Sequence, residues 1–154
     1  WAKKGSELHY GYKNHVKADA ESKLITGYTV TSADVHDSQA LAGLVDDADY
    51  VLYADSAYSG ETIFPTLPEG LELNVHEKGS RNHPLTEEQK ACNQEKSRIR
   101  VRIEHIFGFM TNSMNGITVR SIGKLRARFN AGITNLVYNI CRYQFLCRQC
   151  FVAG

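Results

Sequence analysis

The sequence predicts an α/β fold, with helices flanking a mixed β-sheet. Three observations point there. The first half of the 154 residues carries short segments rich in β-branched and aromatic residues, some with alternating polarity. The second half carries two long stretches with apolar residues at helical spacing. Strand-like and helix-like segments also interleave in the first half, the layout of helices packed on a sheet. Hydrophobic residues make up 42% of the chain, enough for a core and too many for a disordered polymer. The length suits one domain over residues 1–154.

Each element has its own signal. Residues 9–18 (HYGYKNHVKA) partly alternate, and residues 24–32 (LITGYTVTS) are β-branched and aromatic. With Asp19, Glu21 and Lys23 between them, these two segments predict an antiparallel hairpin. Asp37 or Ser38 caps a helix to about Val45, through Ala40, Leu41 and Leu44. Residues 50–54 (YVLYA) form a continuous apolar run, the pattern of a buried central strand, and Asp55 follows directly. Ser59-Gly60 starts a turn or short helix that Pro65 and Pro68 interrupt. Residues 71–76 (LELNVH) alternate again as a strand, and a polar loop leads to Pro84.

Thr86-Glu87-Glu88-Gln89 is a capping box, opening a helix to about Met110. Ile99, Ile103, Ile106, Phe107 and Met110 make its apolar face. Asn115-Gly116 breaks the chain. A last helix is expected from about Gly123 to Cys147, with Leu125, Phe129, Ile133, Leu136, Val137 and Ile140 inward. Nothing before residue 9 has a strand pattern.

Charge is divided unevenly. Residues 1–77 hold 5 Lys/Arg and 13 Asp/Glu, a net of −8, whereas residues 78–154 hold 13 and 4, a net of +9. Between Lys96 and Arg128 there are eight basic residues and one acid, Glu104. This split suits an acidic site beside a polyanion-binding face, or two halves that neutralise each other. Cys147 and Cys150 have C-x-x-C spacing without a second pair to complete a zinc site, so the four cysteines read as free thiols. No apolar run approaches the ~20 residues of a membrane span. The chain begins at Trp1 without Met or a signal pattern, and is expected to be part of a longer protein.

Two acids stand out. Asp55 follows the apolar run at the carboxyl end of a strand, where ligand and catalytic groups of open α/β sheets gather; an Asp capping the next turn would look the same. Glu104 has Arg100 one helical turn before it and Gly108 one turn after. A helix-interior glycine costs about 1 kcal/mol against alanine, so Gly108 suggests close approach by a strand or a ligand. Arg100 and Glu104 could equally form a surface ion pair. Lys96, Arg98, Arg100 and Arg102 are candidates for phosphate contacts, which Arg120, Lys124, Arg126 and Arg128 extend; a solvated basic face is the other reading. None of the six histidines forms an H-x-x-x-H or H-E-x-x-H pair, and His36-Asp37 could approach the site.

The segments Tyr10-Gly-Tyr-Lys-Asn-His15, Val35-His-Asp-Ser38, Ala54-Asp-Ser-Ala-Tyr58, Arg100-Val-Arg-Ile-Glu-His-Ile-Phe-Gly108 and Asn135-Leu-Val-Tyr-Asn139 together resemble insertion-sequence transposases of the DDE class. The resemblance implies an RNase H-like mixed sheet flanked by helices. It carries the second catalytic Asp onto Asp55 and the catalytic Glu onto Glu104, both binding Mg²⁺ or Mn²⁺. Arg100 and Glu104 fit the family's Tyr, Arg, Glu, Lys signature, while Ser97 stands at the Tyr position and Thr111 at the Lys position. The family's first Asp lies on a first strand upstream of the residue 10–15 segment, so the chain is expected to lack that Asp, its strand and any N-terminal DNA-binding region.

The implied function is DNA transposition. Phosphodiester bonds at the ends of the element would be hydrolysed with divalent metal, and the strands transferred into target DNA. Implied with it are double-stranded DNA as partner, a homodimer in the intact enzyme, no membrane, and a cytoplasmic, nucleoid-associated location in a bacterium or archaeon. Without the first Asp the fragment alone is expected to be inactive. A non-catalytic DNA-binding remnant and an RNase H-like nuclease without strand transfer are the alternatives.

Overall fold

The computed structural model describes residues 2–4, 7–9, 11–54, 67–77, 79, 84–116 and 122–152. Two units are present: Trp1–Val35 with His105–Gly154, and His36–Glu104. Among the described residues the strands pair in three two-stranded ladders, two antiparallel and one parallel, with helices beside them. This is an α/β architecture with both kinds of strand pairing.

In the first unit, β1 (Ala2–Lys4) and β2 (Glu7–His9) pair antiparallel in a stretch with no strand pattern. The predicted hairpin is β3 (Tyr12–Ala18) with β4 (Ile25–Ser32), Tyr12 opposite Ser32 and Val16 opposite Tyr28. Its turn is held by Asp19, whose carboxylate accepts from the Ser22 N–H at 2.7 Å and from the Ser22 hydroxyl. Lys23 closes the turn at φ 60°.

Helix α3 (Lys124–Val152) lies on this hairpin. Ala127 and Ala131 are buried with Val30, and Tyr12 and Tyr28 lean against them. Small side chains allow a helix to come this close to a strand. Polar side chains of α3 then bind the hairpin's backbone at Ser22, Lys23 and Ile25 and the side chain of Asn14. The Asn139 amide accepts from Ile25 N and donates to Ile25 O, both at 2.8 Å. Asn14 Nδ2 donates to Asn135 Oδ1 at 3.0 Å, the Tyr138 hydroxyl donates to Lys23 O at 3.0 Å, and Arg142 Nε donates to Ser22 O at 2.7 Å.

This reverses the face expected for α3. Leu125, Phe129, Ile133, Leu136, Val137 and Ile140, expected inward, are exposed, and Ala127, Ala131, Asn135 and Tyr138 are buried instead. The size of the apolar stripe misled, because the hairpin selects for closeness and hydrogen-bonding capacity rather than for bulk.

Helix α2 (Glu87–Ser113) opens with the predicted capping box. Gln89 N donates to Thr86 Oγ1 at 3.2 Å, and Thr86 N donates to Gln89 Oε1 at 2.9 Å. In its first-unit portion Ile106 and Met110 are buried, as their spacing predicts, and Phe109 stands edge-on to Tyr138 with ring centroids 5.7 Å apart. Gly116 N closes the helix on Met110 O at 2.9 Å, with Asn115 and Gly116 at φ 61° and 71°. At Gly108, where close approach by a strand or a ligand was expected, a Cβ would meet no atom within 4 Å among the described residues.

In the second unit, α1 (Ser38–Leu41) is shorter than predicted, with Asp37 at its N-cap and Ala40 and Leu41 buried. β5 (Val51–Ala54) pairs parallel with β6 (Glu72–Val75). The run 50–54 was expected to be buried, yet Tyr50 and Val51 are exposed and only Ala54 is fully covered. Among the described residues this ladder has two strands and no third beside either of them. Cys92, Cys141, Cys147 and Cys150 are free thiols. No helix among the described residues is long and apolar enough to cross a membrane.

Candidate active site

Strand register defines one edge of the second unit. Ala54 pairs with Val75, so β5 and β6 end level with each other. His76 follows β6. Asp55 is the next residue in sequence after β5 and lies outside the described residues.

Backbone groups leaving a two-stranded ladder need partners, and α2 supplies them. Lys96 Nζ donates to Val75 O at 3.0 Å. The Asn93 amide accepts from Glu77 N and donates to Glu77 O, each at 3.0 Å. His76 Nε2 lies 2.9 Å from Ser97 Oγ and 3.2 Å from Asn93 O. The helix is thus fastened at three successive residues to the carboxyl end of β6.

Glu104 follows on the same helix, seven residues after Ser97 and therefore on nearly the same face, about 10 Å further along the axis. Its Oε1 accepts from Arg100 Nη2 at 3.2 Å, with the glutamate side chain 58% exposed. An i,i+4 pair this accessible contributes a few tenths of a kcal/mol. The four cations divide by helical geometry. Lys96 and Arg100 share the Ser97–Glu104 side, and Arg98 and Arg102 lie on the opposite side. Arg98 is exposed and the other three are half-buried.

The sequence places His76 at the end of the 71–76 strand, where the polar loop begins, and marks Ser97 only as a departure from a signature; Asn93 carries no motif of its own. A signal was available. Asn93, Ser97, Arg100 and Glu104 stand at offsets 0, 4, 7 and 11, the spacing of one helix face written in polar residues. His36 Nδ1 lies 2.8 Å from Ser38 Oγ at the start of α1.

Divalent metals such as Mg²⁺ favour carboxylate oxygens and retain several waters. Glu104, carboxylate-bearing and open to water, meets that requirement as one donor. Among the described residues no three of His, Cys, Asp and Glu gather as a metal-holding group.

The model of the transposase DDE domain family matches residues 1–140. The chain belongs to this family. The match supports an insertion-sequence DDE transposase, and it spans Asp55, Lys96, Arg98, Arg100, Arg102 and Glu104 alike. DDE transposases are enzymes that act on DNA and generally use divalent metal. No solved structure matches the chain.

Proposed function

We propose that residues 1–154 belong to the RNase H-like catalytic domain of a transposase that hydrolyses phosphodiester bonds at its element ends and transfers the strands into target DNA. One observation supports it best. The helix bearing Glu104 is fastened, through Lys96 and Ser97, to the edge where the parallel strands β5 and β6 end, and Asp55 is the residue after β5. Carboxylates from a strand end and a neighbouring helix are the donors that a divalent-cation site requires.

In this reading Asp55 and Glu104 hold Mg²⁺ or Mn²⁺. When bound, the metal lowers the pKa of a water or 3′-hydroxyl nucleophile and stabilises the leaving oxygen. Arg100 restrains the Glu104 carboxylate, and Lys96, Arg98, Arg100 and Arg102 contact DNA phosphates. A homodimer that brings two element ends together is the working assembly.

The test is Mn²⁺ titration calorimetry and metal-dependent nicking of a supercoiled plasmid by the transposase and its Asp55→Asn and Glu104→Gln variants. Weakened metal binding and loss of nicking in both variants are expected. Two variants that bind and cut like the unaltered protein would remove these residues from the site. Joined products with a target plasmid separate strand transfer from simple nuclease action.

A further inference from the structure

The outward face of α3 is organised. Phe129, Ile133, Leu136, Ile140, Tyr143 and Cys147 follow one another at steps of 4, 3, 4, 3 and 4 residues. Alternating steps of 4 and 3 repeat every seven residues, as the seam of paired, supercoiled helices does. The seam lies opposite the Ala127–Ala131–Tyr138 face that meets the hairpin, and it is open: Phe129 is 67% exposed, Leu136 55%, Ile140 60% and Tyr143 63%.

We propose that this seam is a dimer interface in which α3 packs antiparallel against α3 of a second copy of the chain. The proposal rests on the homodimer part of the reading above and assigns its surface. The seam residues with Leu125 and Val137 offer roughly 700 Å² of mostly apolar area, against ~800 Å² per partner in a stable interface. The outward flanking positions, Asn130, Val137 and Gln144, carry no charge, so nothing there selects an acidic foreign helix or repels an identical one.

Direction follows from Arg126, which occupies the seam position three residues before Phe129. Parallel pairing would set Arg126 against its own copy. Antiparallel pairing sets each Arg126 near the carboxyl end of the opposing helix, where the helix dipole is negative. No acidic residue lies between His105 and Gly154 to offset a parallel clash within the helix itself.

The test measures mass by light scattering and sedimentation for the full chain and for Leu136→Glu/Ile140→Glu, with circular dichroism to follow helix content. A dimer of the 17.3 kDa chain is expected. In the variant, dimer dissociation should become easier by roughly 100-fold or more at unchanged helix content. A photo-crosslinking benzoylphenylalanine in place of Phe129, in a mixture of ¹⁴N and ¹⁵N protein, tests the seam without charge. Mixed-isotope links should fall on residues 140–147.

Links to residues 129–133 would overturn the antiparallel arrangement. A dimer unaffected by the double variant and linked elsewhere would overturn the seam while leaving the homodimer reading standing. A monomer at all concentrations would overturn both. A monomer whose double variant loses DNA affinity would make the face a nucleic-acid surface. Loss of metal-dependent nicking at unchanged mass would bear on the catalytic reading alone.

Discussion

His76 Nε2 lies 2.9 Å from Ser97 Oγ, joining the residue that follows β6 to α2 two turns ahead of Glu104. The Ser97 hydroxyl donates to Asn93 O at 2.8 Å, which assigns Nε2 as the donor in the His76–Ser97 bond. His76 Nδ1 is then an acceptor, buried and without a hydrogen-bond partner among the described residues. Ser97 serves as a short tether between helix and strand end.

Ser97→Ala should lower stability by about 1 kcal/mol, the usual net value of a partly buried hydrogen bond. The urea midpoint should fall with the slope unchanged. An unmoved midpoint would mean that the remaining Lys96 and Asn93 contacts hold the helix without it.

Gly132 on α3 faces the Tyr28 ring, and a Cβ there would collide with the Tyr28 hydroxyl. Gly132→Ala gains about 1 kcal/mol of helix propensity but displaces a packed ring, at a cost of about 1–3 kcal/mol. It should destabilise the native protein and stabilise the Tyr28→Ala background. A double-mutant cycle by thermal denaturation reads the sign change, and the same sign in both backgrounds would refute the contact.

The Ser22 hydroxyl and N–H donate to Asp19, and these bonds hold its carboxyl below its ordinary 3.8. The folded state therefore binds this proton less readily than the unfolded chain. The contribution is present above about pH 4 and is lost as pH falls below 3.8 through the folded value. Asp19→Asn should be less stable than the unaltered protein at neutral pH, and the gap should narrow in acid. A gap independent of pH between 6 and about 2 would show that the charge is not what the turn uses.

Arg98 is exposed on the side of α2 away from Glu104, whereas Lys96 donates to Val75 O. If both meet phosphate, Arg98→Ala should weaken DNA binding and lower the slope of log K against log salt by about one, without changing stability. Lys96→Ala should lower the urea midpoint as well. Fluorescence anisotropy across a salt series, paired with denaturation, separates the two, and an unchanged slope for Arg98→Ala would exclude a phosphate contact there.

Local pattern alone determined the hairpin of β3 and β4, the capping box of α2, its Ile106–Met110 face and its stop at Asn115-Gly116. Each depends on residues close in sequence, where periodicity and backbone conformation act directly. The family was legible too, because its motifs are short strings in a fixed order. Asp55 and Glu104 were readable as candidates from those strings. The tether of Asn93, Lys96 and Ser97 to the end of β6 was not, since it depends on which backbone groups a ladder leaves unpaired. The facing of α3 was likewise decided only in three dimensions. Its bulky stripe would win on hydrophobicity, but the hairpin meets the side that comes closer through Ala127 and Ala131 and binds its peptide groups through Tyr138, Asn139 and Arg142. Neither the close fit of Ala127 and Ala131 nor those hydrogen bonds can be read from the hydrophobic periodicity of α3, and the stripe faces outward.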